Sequence, residues 1–221
     1  LTIRPGHLDV ENIDARAYKG TFAGNVGLDF GTPLELRTDI SGKGADLSRL
    51  IALAGPVLPL ASVADVTFKI VGDPGRLVTW NGGGTFDAVP VSAGTSARIP
   101  AGGRGRLTFD SGRVRVQADR LSLAETSLRF DLLSELSAAP AKTHLTVDGT
   151  TRDARVTQDA ALSILDAFGV ERNRFALLPL HGAGTLRAAL RTAGRAATID
   201  LGLELAEGSY AGEPFASAIL D

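Results

Sequence analysis

The sequence predicts a mostly β protein, built as a long antiparallel meander with one apolar and one wet face, carrying two short helices. Three observations predict it. Apolar and polar residues alternate with period two almost from end to end, turn signals punctuate the alternation, and helical spacing occurs in only two places.

The first third alternates at Leu8 and Val10, then at Phe22, Val26, Leu28 and Phe30, then at Leu34 and Leu36. The middle alternates at Val66, Phe68 and Ile70 and then in "RLTFDSGRVRVQA" (Arg106–Ala118). There Leu107, Phe109, Val114 and Val116 fall on one side, with Arg106, Thr108, Arg113, Arg115 and Gln117 on the other. Asp110-Ser111-Gly112 supplies the turn between them. Leu121, Leu123, Leu128, Phe130 and Leu132 continue the series, followed by Leu145 and Val147, then Leu186, Ala188 and Leu190. Ile199, Leu201, Leu203 and Leu205 close it. "GDPG", "NGGG", "AGG", "DSG" and "EG" break the runs at the short spacing typical of β meanders.

Two segments carry the helical period instead. "ADLSRLIALAG" places Leu47, Leu50, Ile51 and Ala54 on one face, with Asp46 to cap and Gly55 to stop, which predicts a helix near 46–54. "QDAALSILDAFG" repeats the design with Asp159 as cap, Leu162, Ile164, Leu165 and Phe168 apolar and Gly169 as stop, for a helix near 159–168. Each is followed by a Pro-Leu connector and then strands, so the chain divides into two weakly similar units of about 1–110 and 111–221.

Composition bounds the function. The 221 residues are 44% hydrophobic but only 5% aromatic, so the apolar surface is chiefly aliphatic. Net charge is −2, and the arginines are interleaved with acids, which argues against a nucleic-acid partner. There is no cysteine, which excludes thiol chemistry and Cys-based zinc sites. Methionine is also absent, even at position 1, and no apolar run is long enough to cross a membrane. The chain therefore reads as one elongated β region, 1–221, internal to a longer protein; if that protein has an anchor, it lies elsewhere.

No motif nominates a catalytic centre. His7, His144 and His181 stand far apart, and no second histidine joins the carboxylates near any of them, so no metal site is expected. Asp29, Glu35, Asp131, Asp200 and Glu204 are dispersed along polar strand faces, as a solvated surface requires. "GAGTLR" and "NGGGTF" resemble phosphate loops only superficially, since neither leads into a helix. Neither an enzyme nor a cofactor is expected.

The informative feature is then the apolar face. Roughly a dozen strands at about 4.8 Å each make a sheet some 50–60 Å across, and two helices of roughly 15 Å cannot cover it. Such a face must meet a second sheet, close on itself, or take up something that is not protein. Alternation alone leaves a filled sandwich or solenoid spacer, of the kind found in surface and adhesin proteins, and a lipid-holding groove both open; a β-rich hydrolase remains a more distant third.

"AYKGTFAGNVGLDFGTPLELRTDISGKGADLSRLIALAG" (Ala17–Gly55) resembles AsmA-like proteins, including the TamB and YhdP branches. Tyr18-Lys19-Gly20, Phe22-Ala23-Gly24 and Asp46-Leu47-Ser48-Arg49-Leu50 carry the likeness. "GRVRVQADRLSLAETSLRFDLLSEL" (Gly112–Leu136) and "LELAEGSYAGEPFASAILD" (Leu203–Asp221) are similar to the family's strand–turn–strand units. The resemblance implies an open, curled β groove (a β-taco) in the periplasm, carried by a parent protein anchored in the inner membrane. It further implies passage of phospholipid toward the outer membrane, with an outer-membrane barrel protein as a partner, and no catalytic residues. On that reading Leu107, Phe109, Val114, Val116, Leu121, Leu123, Leu128, Phe130, Leu132, Ile199, Leu201 and Leu203 line the groove.

Overall fold

The computed structural model describes residues 1–53, 57–92, 98–167, 178–193 and 196–220. In chain order the strands are β1 (Thr2–Arg4), β2 (His7–Ala17), β3 (Gly20–Asp29), β4 (Glu35–Asp46), β5 (Leu60–Gly72), β6 (Asn81–Pro90) and β7 (Ile99–Asp110). They continue as β8 (Arg113–Leu123), β9 (Thr126–Glu135), β10 (Lys142–Thr151), β11 (Leu180–Ala193), β12 (Ala196–Tyr210), β13 (Glu213–Phe215) and β14 (Ala218–Leu220). All belong to one sheet in which each strand from β1 to β13 pairs with its chain neighbours, while β14 folds back onto β12. The sheet is a long, open antiparallel meander that does not close into a barrel. No second sheet faces it among the described residues, so the sandwich alternative finds no second layer here.

The predicted hairpin forms in the expected register: Leu107 opposes Val116, Phe109 opposes Val114, and Asp110 opposes Arg113 across the turn. At this end of the strands the connections are turns and short loops. At the opposite rim sit both helices, α1 (Leu47–Ile51) between β4 and β5, and α2 (Ala154–Ala167) between β10 and β11. No described helix is long and apolar enough to cross a membrane.

Asp46 caps α1 as the sequence predicts, its carboxylate accepting from the Arg49 N–H at 3.3 Å. It is almost fully buried, and Lys19 Nζ and Arg98 Nη2 each stand 3.6 Å from its oxygens. One carboxylate thus ties the β2–β3 turn and the start of β7 to the helix. Asp46→Ala removes the cap and leaves its N–H partner without an acceptor, for an expected loss of about 1–3 kcal/mol in urea-monitored unfolding. The predicted helix end at Ala54 and its Gly55 stop lie outside the described residues.

The second helix departs from expectation at its start. It begins five residues before the predicted cap, because Asp153, not Asp159, accepts from the first turn: the Arg155 N–H donates to Asp153 Oδ1 at 2.8 Å. Asp159 lies within the helix, and the predicted Phe168 and Gly169 are outside the described residues. The longer helix reaches across the sheet. Ala154 packs with Leu180 and Leu205 of β11 and β12, while Thr157 hydroxyl-bonds to Thr126 of β9 (2.6 Å) and Thr151 of β10 (2.5 Å). Further on, Ala160 and Ile164 meet Leu60, Ile99 and Ala101 of β5 and β7. The helix therefore runs along the rim across the strands, and Leu47 and Ile51 of α1 join the same cluster. Beneath it β6 ends at Pro90, and β5 and β7 close the gap with a two-residue parallel bridge, Leu60 to Ile99 and Ala61 to Pro100.

Candidate functional site: the apolar face of the sheet

Cross-strand registers align the alternating residues into rows that run at right angles to the strands. One row reads Ile13, Gly24, Ile40, Phe68, Gly84, Leu107, Val116, Leu132, Leu145, Leu190 and Ile199 from β2 to β12. The next, one step nearer the helices, reads Ala15, Phe22, Gly42, Val66, Phe86, Gly105, Ala118, Phe130, Val147, Ala188 and Leu201. Neither row contains a polar side chain. With strands about 4.8 Å apart, each row is about 48 Å long.

Glycines in these rows are filled by their neighbours. A Cβ on Gly42 would stand 2.6 Å from the Phe22 ring, one on Gly84 2.8 Å from Phe68, and one on Gly105 2.3 Å from Phe86. Each ring therefore lies over the missing side chain of the adjacent strand. Large residues flatten against the sheet in this way, and the face has low relief.

The helices cover only part of it. In the first half, Leu47 and Leu50 of α1 pack with Phe22, Val66, Phe68 and Phe86. Along the helix rim, α2 lies over the last row, whose members are Ala101, Leu123, Thr126, Thr151, Gly184 and Leu205. Leu123 is thereby taken into the packed core at the rim, away from the open face, and Leu203 borders the cluster of Ala154, Leu180 and Leu205. Leu107, Phe109, Val114, Val116, Leu121, Leu128, Phe130 and Leu132 stand half-buried on the shared face. Ile199 and Leu201 are the most open, at 63% and 65% of full exposure. At the hairpin rim the face gains hydroxyls: the row of Phe109 and Val114 continues into Ser134, Thr143 and Thr192, with Ser134 and Thr143 bonded at 3.1 Å.

Compared with known proteins, the chain matches no family model, no curated protein and no solved structure.

The opposite face is charged; like charges meet at Asp65–Asp87 and Arg104–Arg120, and elsewhere the signs alternate from strand to strand. Asp119, Arg129, Asp148 and Arg187 form one such row, joined by ion pairs of 3.5 Å (Arg129–Asp119) and 3.9 Å (Arg187–Asp148). Asp110, Arg113, Glu135 and Lys142 form another. A shallow depression among Arg129, Asp148 and Arg187 opens on this side. His7 stands 3.4 Å from Asp29 and His181 3.5 Å from Asp153, each half-exposed. No group of three or more potential metal ligands gathers among the described residues. Of the "NGGGTF" and "GAGTLR" glycines, Gly82, Gly83 and Gly84 lie inside β6 and Gly182 and Gly184 inside β11, the last at a bulge.

A further ion pair joins Arg115 to Asp131, which Gln117 also contacts. The hydrogen bond from Arg115 holds the Asp131 carboxyl below its ordinary range. Partial burial opposes this, and the Arg115 charge, the Gln117 amide and the Arg129 charge add to it. A depressed folded-state value stabilises the fold above the unfolded value and loses that contribution as pH falls through the folded one. Asp131→Asn is therefore expected to lower the denaturant midpoint slightly at neutral pH, with the difference closing below about pH 4. Parallel urea titrations of both proteins at pH 7 and pH 3 read this.

Proposed function

We propose that this chain is a non-catalytic, lipid-shielding segment whose apolar face takes up the acyl chains of phospholipid. The carrying observation is the pair of uninterrupted apolar rows across eleven strands, facing no second sheet among the described residues and covered only in part by the two helices. A face of that extent left in water drives aggregation, so it needs an apolar occupant. Each CH₂ removed from water contributes about 0.8 kcal/mol, so a chain of roughly fifteen carbons gains on the order of 10 kcal/mol without any directed hydrogen bond. The low relief left by rings lying over glycines suits chains that slide along the rows.

The resemblance to AsmA-like proteins supports the same reading and extends it to the periplasm, between an inner-membrane anchor and an outer-membrane barrel partner in the full protein. The mixed charges of the outer face suit a solvated wall rather than a basic track for nucleic acid. The test is solvent extraction of protein purified without detergent, with phospholipid quantified by mass spectrometry. Phospholipid bound at a fixed ratio to protein is the expected result; lipid-free, monodisperse protein would sink the proposal.

A further inference from the structure

The apolar face ends differently at its two rims. On β9 three apolar residues, Leu132, Phe130 and Leu128, separate Ser134 from Thr126. On β10 Leu145, Val147 and Gly149 separate Thr143 from Thr151. At the helix rim the hydroxyls are taken up, since Thr126 and Thr151 are buried and both bond to Thr157 of α2. At the hairpin rim they are not. Ser134, Thr143 and Thr192 stand side by side on β9, β10 and β11, half-buried on the open face, with α2 at the opposite rim. A hydroxyl offers one donor and two acceptor sites, so the Ser134–Thr143 bond leaves both with capacity for a ligand. Exposed Lys142 immediately precedes Thr143 at this rim. Elsewhere from β2 to β11 the same row is apolar apart from Thr38, whose hydroxyl donates to the Ile70 carbonyl at 3.4 Å.

We infer that bound phospholipid has a fixed direction on this face: its acyl chains lie along the strands, its glycerol esters and phosphate meet Ser134, Thr143 and Thr192, and its methyl ends point toward α2. The inference rests on the lipid reading and adds a polar subsite to it. Three apolar residues on one side of a strand cover about 20 Å. One acyl chain spans half of a bilayer core, about 15 Å, so the band between the two hydroxyl rows takes it in. An acyl chain laid across the strands would instead meet no polar side chain in either apolar row, and its esters would rest on apolar residues without a hydrogen-bond partner. Lys142 can lay its stem along the rim and bring its ammonium to the phosphate. The three hydroxyls thus mark one holding position on a face that elsewhere lets lipid slide sideways from strand to strand.

Nitroxide quenching of tryptophan reads the direction. Trp80 is the single tryptophan, so Trp80→Phe gives a silent background for two reporters. Val114→Trp places one beside Ser134, and Leu128→Trp places the other toward the helix rim. Phosphatidylcholine with a nitroxide near the glycerol end of one acyl chain is expected to quench the Val114→Trp protein at least twofold more than the Leu128→Trp protein. A nitroxide near the methyl end is expected to reverse that order. Equal quenching of both reporters, or the opposite order, overturns the inference while leaving lipid uptake standing. Wild-type protein that binds no phosphatidylcholine sinks the lipid reading, and the inference with it. In a second measurement, the triple variant Ser134→Ala, Thr143→Val, Thr192→Val is expected to retain at least fivefold less phospholipid with an unchanged far-UV spectrum. Thr108→Val, on the charged face, is expected to retain the wild-type amount. Unchanged retention in the triple variant overturns the polar subsite.

Discussion

Val116→Glu is expected to strip bound phospholipid from the protein while leaving the sheet folded. Val116 sits in the middle of the uninterrupted row, between Leu107 and Leu132, and remains half-buried without lying under either helix. In lipid-free protein the new carboxylate reaches water, so the fold loses little. Against an acyl chain the same carboxylate must shed its hydration with no cation on that face to receive it, at a penalty of several kcal/mol. A reduction in retained lipid of at least a hundredfold follows, with far-UV dichroism unchanged. Leu128→Glu is expected to behave alike. Thr108→Glu is the control, one strand away on the charged face and exposed, and is expected to keep its lipid. Equal lipid content in Val116→Glu and Thr108→Glu would remove the apolar face from the mechanism.

Gly105→Val is expected to damage the packing of the face itself. The position has an ordinary φ, so backbone strain is not the reason; space is. The Phe86 ring lies 2.3 Å from where a Cβ would stand, and the Gln117 carbonyl 2.7 Å. Valine forces the ring off the sheet, with an expected loss of about 2–4 kcal/mol. A double-mutant cycle locates the cause. Gly105→Ala costs stability when Phe86 is present and much less when Phe86→Ala has vacated the space, so the two effects are not additive. Additive losses would show that the ring does not occupy the glycine's place.

Much of this sheet is legible in the amino-acid sequence. Strict alternation around Asp110-Ser111-Gly112 defines both strands of that hairpin and their register, because a one-residue slip would turn every apolar side chain outward. Asp46 is legible as a cap because an apolar helical face starts immediately after it. Other features depend on facts that local patterns do not contain. Ala154–Gln158 is a mixed stretch, and only Asp153, fixed by the end of β10 and facing His181, explains why the helix starts there. The covering of Leu123 by α2 follows from the helix crossing five or more strands, a tertiary event. The pairing of each ring with a glycine becomes visible only once register sets Phe22 beside Gly42 and Phe86 beside Gly105.

Because each strand from β1 to β13 is joined to its chain neighbours and to almost nothing else, the architecture works as a ruler. A hairpin inserted at a turn of the rim opposite α1 and α2 would lengthen the apolar surface by two strand spacings, about 9.6 Å, without disturbing any pairing beyond its own flanks. A deleted hairpin would shorten it by the same step. The length of such a surface can therefore be set in evolution by counting hairpins, with no change in the width of the face or in the helices that line its rim.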